Sequence, residues 1–104
     1  MKKIEFPMFG YTIIVKKPNS LELETMQENK MFACCIEYKH ESIVLVKDDV
    51  KLNNISLFVH ELTHAIQNLC KARKINMTEE KECVAYMMQY SVNRVLGYSY
   101  VLDK

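Results

Sequence analysis

A chain of 104 residues falls in the usual size range of a single domain, and 49% of it is hydrophobic, enough to bury a core without disulfides. Its 14 lysines and arginines against 13 aspartates and glutamates leave a net charge of +1. That balance argues against a nucleic-acid partner, which needs an excess of positive charge to follow the phosphates, and no stretch nears the roughly 18 apolar residues of a membrane span.

The N-terminus, MKKIEFPMFGYTIIV, begins with two lysines but has no unbroken apolar run, because Glu5, Pro7, Gly10 and Thr12 interrupt it. The expected location is therefore the cytoplasm. Residues 2–6 and 11–16 read as strands with a turn at PMFG between them. KPNS then breaks the chain. LELETMQENK has both strand-like alternation and a helix-like start at Ser20; it is taken as a short helix. MFACCIEY and SIVLVKD, apolar and rich in β-branched residues, are expected to form a hairpin through KHE. The cysteines Cys34, Cys35, Cys70 and Cys83 form no CxxC pair and are expected to be reduced thiols.

Residues 55–71 carry the strongest pattern in the chain. At 100° per residue Ile55, Phe58, Val59, Leu62, Ala65, Ile66, Leu69 and Cys70 fall within an arc of about 140°. His60, Glu61, His64, Gln67, Asn68 and Lys71 take the opposite face. Asn53 or Asn54 is a natural N-cap. A second helix is expected from about 78 to 96, capped by Asn76 or Thr78 and stopped at Gly97. Val84, Met87, Met88, Val92 and Val95 give it a broad apolar face, so most of it is expected to be buried. A narrow polar stripe of Glu82, Tyr86, Gln89 and Asn93 is the exception. YSYVLDK follows as an extended tail.

HELTH, residues 60–64, is the segment that bears chemistry. Residues i and i+4 of a helix project from one face, about 6 Å apart at their β-carbons, so His60 and His64 can converge on one zinc ion. Glu61 points to the side of such an ion and is placed to take a proton from water, whose pKa zinc lowers to about 7. A third protein ligand is needed. His40, the only other histidine, lies upstream on a turn, whereas Glu82 stands on the next helix in the polar stripe.

HELTH followed by EKECVAY resembles the gluzincins, zinc peptidases with HExxH on one helix and a glutamate ligand on the next. The small size is similar to minigluzincins and to short HExxH proteins of phages and other mobile elements. The resemblance covers roughly residues 40 to 95. It implies a compact α+β zincin-like domain, with a small, mostly antiparallel sheet packed on the HExxH helix and a second helix bearing the glutamate. It also implies Zn2+ held by His60, His64 and Glu82, Glu61 as general base, and hydrolysis of a peptide or protein substrate. The substrate is expected along SIVLV, residues 42–46, as the sheet edge. The larger gluzincins carry an aspartate four residues after the glutamate ligand; Tyr86 stands there in this chain. For the group that stabilises the oxyanion the residues leave Tyr98, Tyr100, Arg94 and His40 open. The alternative, from a different class, is a zinc-stabilised, non-catalytic protein-binding module, such as a phage-type host-interaction factor, because 104 residues leave little room for a second wall to a cleft.

Overall fold

The computed structural model describes residues 1–97; the tail, with Tyr98 and Tyr100, lies outside the described residues. The elements are β1 (Lys2–Phe6), a 3-10 turn at Pro7–Phe9, β2 (Tyr11–Lys16), α1 (Ser20–Glu28), β3 (Ala33–Glu37) and β4 (Glu41–Val46). A 3-10 turn at Leu52–Asn54 then leads into α2 (Ile55–Arg73), and α3 (Lys81–Leu96) follows. The architecture is α+β: a four-stranded mixed sheet of order β1-β2-β4-β3, packed against α2 and α3. Two of its three pairings are antiparallel, and β2 with β4 is parallel. A parallel pair cannot be closed by a tight turn, so α1 and β3 make the crossover.

This order corrects one expectation. β4, the SIVLV strand, is hydrogen-bonded to β2 on one side and β3 on the other, so it is interior and cannot be the sheet edge. Its sequence is the reason: Val44, Leu45 and Val46 run consecutively and all three are buried, which requires cover on both faces. Tyr11, Ile13 and Val15 of β2, with Ser42, Val44 and Val46 of β4, face the helices. On the opposite face Lys16, Leu45 and Cys34 are register partners, and Lys16 reaches Glu22 of α1 at 3.6 Å.

α2 buries Phe58, Leu62, Ala65, Ile66, Leu69 and Cys70, in agreement with the apolar arc of its sequence. Truncating a fully buried Leu62 or Leu69 to alanine removes packing worth about 2–5 kcal/mol. α1 is a helix, as taken, with a capping box between Asn19 and Glu22. α3 differs from its expectation in two ways. It begins at Lys81, because the Asn76 side chain accepts from the amides of Thr78 and Glu79 and forms a separate turn ahead of the helix. It is also more exposed: Met87, Ser91 and Val95 are buried, whereas Ala85, Tyr86, Gln89, Tyr90 and Arg94 are open to solvent. The sheet and α2 already fill one flank, so α3 packs along a single narrow line and on β1.

Candidate metal centre

α2 presents His60, Glu61 and His64 on its outer side, and their ligand atoms all lie within 4.8 Å of one another. The helix sets this arrangement by itself. The imidazole centroids stand 5.0 Å apart with the rings nearly perpendicular, as the i, i+4 relation brings them. His60 Nε2 is 3.9 Å from Glu61 Oε2, and His64 Nδ1 is 3.3 Å from Gln67 Oε1. The environments of the three differ. The His60 side chain is 69% exposed and that of Glu61 only 14%.

Glu61 is sheltered because it sits where α2 crosses β3. Its charge helps to hold the Cys34 and Cys35 thiols above their ordinary range, and at Cys35 burial and this carboxylate together push the pKa up to about 11. One helical repeat further on, Asn68 donates to Ser42 Oγ at 3.1 Å and to Cys35 Sγ at 3.7 Å. Ser42, fully buried, also bonds the Tyr11 hydroxyl at 2.7 Å. This polar chain ties β2, β4, β3 and α2 together. It was not foreseen; a polar Ser42 in an otherwise apolar strand was the only sign of it in the sequence.

The other candidate residues are placed elsewhere. Glu82 is exposed in the first turn of α3 and is not part of the cluster. The α2–α3 hairpin accounts for this. Cys83 packs against the core cluster that contains Cys70 and lines a hollow with Lys74 and Ile75, so the first turn of α3 lies abreast of the end of α2. Cys70 is about 9 Å along the axis beyond His64, at 1.5 Å per residue. Tyr86 is 64% exposed on α3, and Arg94 is exposed near its end. Cys83 is half-buried, beside Phe9, Lys74 and Ile75. His40 is not a free turn residue. Its Nδ1 lies 2.9 Å from Arg73 Nη2, at the far end of α2 from the cluster. Arg73 also donates to the carbonyls of Phe9 and Gly10 and stacks on Tyr11, a clamp that sequence reasoning missed.

Two imidazoles on one helix face make a nitrogen donor pair that suits zinc, and with the Glu61 carboxylate beside the ion position a further protein ligand is still needed to complete a three-donor site. No protein-family model, no curated protein and no solved structure matches this chain. What stands of the gluzincin resemblance is the HExxH spacing on the long helix, with its three side chains brought together.

Proposed function

We propose that this protein is a zinc-dependent peptide hydrolase centred on α2. The observation that carries the reading is the convergence of His60, Glu61 and His64 within 4.8 Å on the open side of a helix that packs against β3, an outer strand of the sheet among the described residues. His60 and His64 are the metal ligands. A zinc ion bound there supplies Lewis acidity to the scissile carbonyl and lowers the pKa of water. Glu61 takes the proton from the attacking water and passes it to the leaving amine, a role suited to a carboxylate that is sheltered but not sealed off. Glu82, the one carboxylate within α3, is the proposed third protein ligand; because it stands outside the cluster, that role requires the first turn of α3 to move toward α2 when zinc binds.

The substrate belongs on β3. Among the described residues β1 and β3 are the two outer strands. β1 carries three charges, Lys2, Lys3 and Glu5, that discourage strand addition, whereas β3 has a single one, Glu37 at its end, after the uncharged run Ala33, Cys34, Cys35 and Ile36. An extended peptide paired to β3 passes beside Glu61.

Metal content tests the centre. Protein purified without added metal is expected to hold one zinc per chain by mass spectrometry, with sharp loss in His60→Ala and in Glu82→Ala. Full zinc in Glu82→Ala removes Glu82 from the ligand set, and no zinc in the native chain, even after incubation with it, overturns the whole reading.

One observation favours a second reading. Among the described residues no second lobe faces the cluster to wall a substrate cleft, as suits a metal that stabilises an interaction surface without catalysis. Glu61→Gln separates the two. Hydrolysis of unfolded polypeptide is expected to fall at least about 100-fold with the metal retained, whereas a non-catalytic module shows no hydrolysis to lose and keeps its partner binding.

A further inference from the structure

Just ahead of the cluster, an apolar cleft opens where the start of β3, the end of β4 and the first turn of α2 meet. Phe32, Ala33, Val46, Val50, Leu57 and Phe58 line it. Two of these are unusually bare for their size, Phe32 at 68% and Leu57 at 46% exposure, although Phe58 beside them is fully buried. Leu57 precedes His60 and Glu61 by three and four residues, so it shares their face of α2, one turn nearer the N-terminus.

We infer that this cleft is a recognition pocket for one large apolar side chain, of leucine or phenylalanine type, on the peptide that lies along β3. The inference rests on the proposed placement of that peptide. One turn of α2 is 5.4 Å and an extended chain advances 3.2–3.4 Å per residue, so the residue in the cleft stands within about two positions of the bond that faces the cluster. Charge supports an uncharged side chain. Lys47 Nζ stands 5.3 Å over the Phe32 ring and the adjacent Asp48 also lines the cleft, so the rim carries one charge of each sign and favours neither. The walls commit the occupant further: Asn54, the other polar residue of the lining, already accepts from the Lys51 amide and donates to the Asp49 carbonyl, so a polar side chain pressed between Leu57, Val50 and Phe58 loses hydration with little to replace it.

The test uses zinc-loaded full-length protein carrying Glu61→Gln, so that peptides stay intact. The probes are capped pentapeptides Ala-Ala-Xaa-Ala-Ala with leucine, phenylalanine, serine or aspartate at the centre. Binding is followed by amide chemical shifts, and zinc content is measured on the same samples. The leucine and phenylalanine peptides are expected to bind at least about tenfold more tightly than the other two, the worth of burying much of one apolar side chain. Their shifts are expected to centre on Phe32, Ala33, Val46 and Leu57. Leu57→Asp is expected to erase the preference at unchanged zinc content; should that variant fold poorly, Phe32→Asp, at a more exposed position, serves the same purpose. Equal binding of all four peptides, no binding, or shifts centred elsewhere overturns the pocket even when zinc is present. Selective binding at the cleft by a protein that holds no zinc overturns the metal reading and leaves the pocket standing.

Discussion

Across the line where α2 meets β3, burial and the charge of Glu61 together shape the chemistry of Cys35. The raised Cys35 pKa, from an ordinary 9.0 to about 11, has burial as its first cause and the Glu61 charge as its second. The neutral thiol is thus the form that the fold accommodates. Because the folded pKa exceeds the unfolded one, the associated stability is fully present below about pH 9 and is lost as pH rises through 11. Thermal melts recorded from pH 8 to 11 are expected to show a falling midpoint in the native protein and a flatter profile in Cys35→Ala. At pH 8 iodoacetamide is expected to modify Cys35 more slowly in folded than in urea-unfolded protein, since the thiolate is the reactive form.

Helix α2 does two jobs with one periodicity. Its apolar arc fills the core with Leu62, Ala65, Ile66 and Leu69, and its outer side displays the metal residues. Asn68, seven residues after Glu61 on nearly the same line of the helix, ties that side of α2 to Ser42 of β4. Asn68→Ala leaves fully buried Ser42 with Tyr11 as its remaining partner and removes the polar tie to α2. The expected cost is about 1–3 kcal/mol in urea unfolding. Zinc affinity is expected to weaken as well, since the helix is freed to rotate against β3. An unchanged zinc affinity alongside the stability loss would mean that core packing alone fixes the rotation.

At the scale of the molecule, the two ends of α2 are held by different means. Its beginning packs by apolar contact, and its last turn is clamped through Arg73 to the Phe9–Gly10 turn, His40 and the Tyr11 ring. Gly10 adopts a left-handed φ of 57°, which brings its carbonyl within reach of the guanidinium at 2.8 Å. Arg73→Ala is expected to lower stability by roughly 1.5–3 kcal/mol, in line with hydrogen bonds to a charged group, as a drop in thermal midpoint. Zinc stoichiometry should stay at the native value, because Arg73 lies about 13 Å along the axis from His64. No helix among the described residues is long and apolar enough to cross a membrane.

The amphipathic α2 and the convergence of His60 with His64 follow from the sequence alone, because they depend on nothing beyond the 3.6-residue turn of a helix. The same holds for the hairpin of β3 and β4. The segment of α1 reads both as strand and as helix in the sequence, and the capping box of Asn19 with Glu22 accompanies the helix it adopts. The tertiary structure decided what depends on distant pairing. It placed SIVLV in the middle of the sheet and left β3 at the edge, because β2 pairs in parallel with a strand some thirty residues away, and local patterning carries no record of that choice. It drew Ser42, Asn68 and Tyr11 into one buried chain and His40 onto Arg73. It also set Glu82 apart from the cluster, since the length of the α2–α3 turn, and not the spacing of HELTH, governs where the first turn of α3 comes to lie.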